Sequence, residues 1–203
     1  MTDPKVSLIT PKTRLQQALE FIDSANHRDP RNIPLNGVPL PQEWLYSQRM
    51  TQWLHKVEPE PSEALQIAAR GQHIKRWQIK RDLYPQTRAG YLAWRTKLYE
   101  FHATEIKHIL RKVGYDDALI SQVQSLLKKK KLKSDHESQI LEDVACLVFL
   151  EYYISDFAQK HSFEKMVGIV KKTWKKMSEN GQKIALSLKL DEHISSVIGR
   201  ALG

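Results

Sequence analysis

The chain has one cysteine in 203 residues, 8 glycines and no long apolar run, and each scarcity removes a class of protein. A lone thiol cannot close an intrachain disulfide, so Cys146, inside the apolar run Val144 to Leu150, reads as a small core residue in a reducing, cytoplasmic setting. The apolar stretch Val6 to Ile9 stops at Pro11 and Lys12, far short of a secretory core or a membrane span, so no membrane association is expected. Paired cysteines spaced for a metal, a glycine-rich phosphate loop and a serine-nucleophile elbow are all missing. Sustained two-residue alternation and internal repeats are missing too, which points away from sheet and solenoid architectures.

What is present is a 41% hydrophobic composition, enough for one substantial core, and a formal charge of +9. The sequence pI near 9.5 implies attraction for phosphate-bearing ligands, with RNA among the possible partners, although no groove-reading motif accompanies the basic residues.

The 3.6-residue period recurs along almost the whole length. Leu15, Ala18, Leu19 and Ile22 mark a first helix from Thr13 to Ala25. The segment 29–41 holds Pro30, Pro34 and Pro39 and reads as a proline-rich loop. Pro41 opens a second helix to about Lys56, and Ser62 caps a third through Arg70, with continuation to Trp77 left open. Thr87 starts the longest helix of the first half, with Tyr91, Trp94, Leu98, Phe101, Ile106 and Ile109 as its inward stripe and Gly114 as its end. A helix from Asp116 to about Lys128 closes on the basic run Lys128 to Lys131, read as a solvated end. Ser134 and Asp135 start the most apolar helix, through Ile140, Val144, Leu147 and Leu150. Segments Phe163 to Met177 and Gln182 to Leu188, broken near Asn180-Gly181, and a last helix from Asp191 form an extension over 162–203, packed on the core. The expectation is one all-α domain over 1–203.

His73 follows the small-residue run Ala68-Ala69-Arg70-Gly71-Gln72, where helix packing favours apolar groups. His102 lies close to the inward stripe of its helix, with Glu105 one turn on, and Asp143 shares a face with Ile140 and Leu147. Two imidazoles and a carboxylate from three helices suit Mn, Fe or Zn, and a hydrogen-bonded core network is the alternative. Between His73 and His102 run Arg76, Trp77, Arg81, Arg88, Tyr91 and Arg95, which read either as a phosphate grip of guanidinium forks with rings to stack on a base or sugar, or as aromatics pinning the loop into the core with arginines paired to nearby acids and helix ends. Lys171, Lys172, Lys175 and Lys176 around Trp174 form a second basic stretch, read as lysines snorkelling over a buried ring or as a polyanion contact.

At Gln72 to Trp77, Arg88 to Arg95, Leu141 to Glu151 and Lys172 to Trp174, the chain resembles a family known only as a domain of unknown function, numbered forty-two hundred and two. More distantly it resembles the HD superfamily of metal-dependent phosphohydrolases. Tyr46 stands where that pattern has its first histidine, Gln72-His73 where it has His-Asp, His102 where it has a middle histidine and Asp143 where it has the late aspartate. The resemblance implies an HD-like helical bundle with a divalent metal on His73, His102 and Asp143, with Gln72 and Glu105 as catalytic groups. It also implies hydrolysis of a phosphorylated, nucleotide-type small molecule. An HD-type di-iron oxygenase, a non-catalytic basic module binding RNA or another phosphate ligand, and a partner-binding structural domain are the alternatives.

Overall fold

A computed structural model describes residues 11–130 and 134–203; the Val6 to Ile9 stretch and Lys131 lie outside the described residues. The first half contains α1 (Arg14–Asn26), β1 (Asn32–Leu35), β2 (Val38–Pro41), α2 (Gln42–Val57), α3 (Glu63–Gly71), α4 (Arg88–Val113) and α5 (Asp117–Leu127). The second contains α6 (His136–Tyr152), α7 (Ile154–Ala158), α8 (Phe163–Trp174), α9 (Glu179–Leu186) and α10 (Glu192–Leu202). The protein is an all-α domain with one small hairpin, and among the described residues no helix is long and apolar enough to cross a membrane.

Helix starts follow local chemistry. The side chains of Thr13, Ser62, Thr87, Asp116, Asp135, Ser178 and Asp191 each accept a hydrogen bond from a backbone N–H in the first turn they precede, which satisfies donors that no helical carbonyl reaches. Gly114 ends α4 at φ 86°, a left-handed conformation in which a side chain is strained.

Three sequence expectations are changed or made definite. The proline-rich segment pairs as a hairpin, with Leu35 opposite Val38 across Asn36-Gly37, both at positive φ. That dipeptide suits the tight turn whose twist matches the strands. Pro34 pairs with Pro39 and Asn32 with Pro41. These are the alternate positions whose N–H groups the ladder does not use, so the prolines cost it nothing. Next, α3 ends at Gly71, one residue past the expected Arg70, and the continuation to Trp77 left open does not form, because Lys75 takes a left-handed φ of 51° and its N–H goes to Asn26 Oδ1 at 3.0 Å. Finally, the break between α8 and α9 falls before Asn180-Gly181, where Ser178 caps α9.

The core is assembled where α2 packs on α3 and α6, α3 on α5, and α4 on α1 and α5. Leu54, Leu65, Ile67, Ile106, Leu110, Leu141 and Leu147 are among its fully buried side chains, each contributing roughly 1.5–3 kcal/mol of burial. In α6 the buried residues run unbroken from Ile140 to Val144, so this helix is enclosed nearly all round. Toward the C-terminus α9 rests on α6 while α8 pairs with α10. In α4 the buried line is Trp94, Leu98, His102, Ala103, Ile106 and Leu110, whereas Tyr91, expected inside, is 42% exposed.

Candidate functional site

Between the end of α3 and the first half of α4 lies a cavity of about 150 Å³, lined by Gln72, His73, Arg76, Tyr91, Trp94, Arg95, Leu98, Tyr99, His102 and Lys129. Its floor is held by the irregular chain after α3. The Ile74 carbonyl accepts from His102 Nδ1 at 2.8 Å, and the Ile79 carbonyl accepts from Trp94 Nε1 at 2.9 Å. These two bonds pin the short 3-10 turn Arg76–Gln78 against α4 and set the Arg76 guanidinium 5.0 Å over the Trp94 ring.

A polar relay runs from the hairpin base to the cavity. Asp29 takes two bonds from the Arg31 guanidinium, at 3.0 Å each, and one from the Glu43 N–H at 3.1 Å. Arg31 Nη2 also donates to Glu43 Oε1 at 2.8 Å. The other Glu43 oxygen lies 3.3 Å from His73 Nδ1, and Arg76 Nη1 lies against the same ring, 2.8 Å from Nε2 and 3.3 Å from Nδ1. Tyr46 stacks on the His73 ring, centroid to centroid 4.0 Å at 13°.

Both imidazoles are neutral. Burial, then the positive charge of Arg76 and other basic groups, holds His73 well below the usual histidine range. His102 is pushed down to about 3, first by burial and then by His73. Burial raises Glu43 above the ordinary carboxylate value against the opposing pull of Arg76 and Arg31. On the far wall Lys129 pairs with the buried Glu142, which Lys176 also approaches at 3.4 Å. Although burial opposes it, Lys129 and the neighbouring basic groups leave Glu142 below its ordinary value.

Of the sequence candidates, Gln72, His73, Arg76, Tyr91, Arg95 and His102 meet at this cavity; Trp77, Arg81, Arg88, Glu105 and Asp143 are not among its lining residues. Arg81 donates to the carbonyls of Tyr84 and Pro85, at 2.9 Å each, and so fastens the loop before α4. Arg88 is exposed and Trp77 half-buried. Glu105 pairs with Lys75 at 2.7 Å. Asp143 turns to α9, accepting from the Ser178 N–H at 2.8 Å, from the Ser178 hydroxyl and from Gln139 Nε2 at 3.0 Å.

The acid of α6 tied to the cavity through Lys129 is therefore Glu142, one residue before the expected Asp143. Adjacent helical residues diverge by about 100°, and the enclosed surface of α6 hides from its sequence which direction holds the site. Lys129, read from sequence as part of a solvated end, was missed; its left-handed φ of 53° turns it back on α6.

The residues present do not fit the divalent metal that the resemblance implies. His73 has both nitrogens engaged, Asp143 serves α9, and three cationic side chains line the cavity. Among the described residues no group of three or more His, Cys, Asp or Glu side chains is arranged to hold a metal ion. The remaining histidines take no part: His27, His55, His108, His136 and His193 are exposed and His161 is half-buried. Trp174 is half-buried beside the exposed Lys171, Lys172 and Lys175.

A family model described as a domain of unknown function (DUF4202) matches residues 16–198. No curated protein and no solved structure matches the chain.

Proposed function

The chain belongs to the DUF4202 family, and from that footing we propose that it binds a small phosphorylated ligand, with the phosphoryl group held among Arg76, Arg95 and Lys129. One observation carries this reading: among the described residues, three cationic side chains line one cavity and no carboxylate does. Glu43 and Glu142 stand outside the lining, the first 3.3 Å from His73 Nδ1 and the second paired with Lys129, and they offset part of the positive charge of Arg76, Arg95 and Lys129. Guanidinium groups donate in a planar fork that suits phosphoryl oxygens, and partial burial keeps such contacts from being screened as surface pairs are.

The volume limits the ligand. About 150 Å³ is well under the roughly 300–1,000 Å³ of sites that enclose drug-sized molecules, and is of the order that takes a single six-membered ring. A phosphoryl group and a few further atoms fit inside. Any larger part of the ligand extends over the exposed ring of Tyr91. The nucleotide-type substrate expected from sequence would therefore keep its base outside the cavity.

Titration calorimetry with inorganic phosphate and with small phosphate monoesters tests the proposal. Saturable one-site binding is expected, weakened roughly ten-fold or more in Arg95→Gln, since a bond to a charged partner contributes about 1.5–3 kcal/mol. An RNA oligonucleotide that binds with steep salt dependence, indifferent to Arg95→Gln, while phosphate does not bind, would replace this reading with polyanion binding on the outer surface. The same samples, assayed for inorganic phosphate released from the ester, test the hydrolytic reading of the sequence.

A further inference from the structure

The cavity is rich in donors, yet two of the residues that line it each carry a buried polar atom with no hydrogen-bond partner among the described residues: His102 Nε2 and Gln72 Oε1. Buried polar atoms in folded proteins are almost always partnered, so two orphans on one small cavity call for an explanation in the ligand. For His102 the role of the orphan follows from geometry. Nδ1 lies 2.8 Å from the Ile74 carbonyl, which can only accept, so Nδ1 carries the proton and Nε2 presents a lone pair. The ring is neutral, which keeps Nε2 free of a second proton. Gln72 Oε1 is an acceptor by nature. Neither group attracts a phosphoryl oxygen, whose lone pairs would face theirs. Each needs an O–H or N–H.

We infer that the ligand carries hydroxyl groups beside its phosphoryl group, and that His102 Nε2 and Gln72 Oε1 accept from them while Arg76, Arg95 and Lys129 hold the phosphate. This rests on the phosphate-pocket reading and narrows it to a class: phosphate monoesters of small polyols, on the scale of a three-carbon chain that the cavity volume admits. Selection then works by penalty. An analogue without hydroxyls leaves both acceptors buried and unmatched, which costs roughly ten-fold or more in affinity for each.

The test compares glycerol phosphate with propyl phosphate, which share charge and approximate size and differ in two hydroxyls, by calorimetry on the full chain, with inorganic phosphate and sulfate as further titrants. Glycerol phosphate is expected to bind roughly 100-fold more tightly than propyl phosphate, and the ratio should fall to roughly ten-fold in Gln72→Leu, where His102 Nε2 alone is left to accept. Should Gln72→Leu fail to fold, the imidazole ¹⁵N shift of His102 in the unaltered protein decides: glycerol phosphate moves the Nε2 resonance and propyl phosphate does not. Equal affinity for the two esters overturns the inference while leaving the phosphate pocket intact. Phosphate favoured over sulfate with the two esters equal also overturns it, since the donor would then be the phosphate's own proton. No binding of any titrant removes the pocket reading itself.

Discussion

Asp143→Ala separates a structural carboxylate from a ligand-binding one. Asp143 is 2% exposed and accepts from the Ser178 N–H, the Ser178 hydroxyl and Gln139 Nε2, while the Ser178 hydroxyl oxygen in turn accepts from the Gly181 N–H. The start of α9 is thus fastened to α6 through one side chain. Gln139 keeps a second acceptor, the Lys176 carbonyl, so the main loss falls on Ser178. A bond to a charged acceptor contributes about 1.5–3 kcal/mol, and an orphaned buried N–H adds desolvation cost, so a net destabilisation of about 3 kcal/mol follows. For a chain of this length each kcal/mol lowers the melting temperature by about 2–4 °C, giving a fall of about 6–12 °C by circular dichroism. Asp143→Asn retains one acceptor oxygen and should lose about half as much. Phosphate affinity, measured below the melting range, should stay within about two-fold because Asp143 does not line the cavity. An unchanged melting temperature combined with lost ligand binding would refute this account and return Asp143 to the site.

Acidification offers a second test. Because His73 and His102 are held below the ordinary histidine value, the unfolded chain takes up protons that the folded protein refuses, so their stabilisation is complete above about pH 6.5 and is lost as pH falls toward the folded values. Each histidine contributes a slope of about 1.4 kcal/mol per pH unit in that window, and the raised carboxyl of Glu43 opposes them by stabilising the fold as pH falls through its own range. With two groups against one, the melting temperature should drop between about pH 7 and pH 5, and a flat profile would refute the neutral assignment. Burial pushes the Cys146 thiol up to about 12, so Ellman's reagent should leave the native protein unmodified and react only after denaturation; rapid labelling at neutral pH would refute it.

How much of this was legible beforehand depends on the range over which each signal acts. Thr13, Ser62, Thr87 and Asp135 announce helix starts because a cap is settled within three residues of its own position. The hairpin was overlooked although Asn36-Gly37 is a strong turn signal, since the prolines around it read as breakers until their alternate register is known. His73 and His102 were identifiable from polar groups set against helical packing faces, and Arg76 and Arg95 from the arginine-rich segment that joins them. Asp143 and Glu142 were not separable, because both are buried in a helix enclosed on almost every side and only tertiary partners distinguish them. Lys129 belongs to the same class, its placement depending on a backbone angle that the lysine run does not encode.

The hairpin anchors the site at one end and is open at the other. Its base, through Asp29 and Arg31, grips Glu43, whereas Leu35 and Val38 beside the turn are 38% and 55% exposed. Exposed loop tips of this kind accept added residues without disturbing the packed body. A fluorophore attached at the turn would thus ride on a paired stem whose foot reaches His73 through Glu43, so that the hairpin could report when the cavity fills.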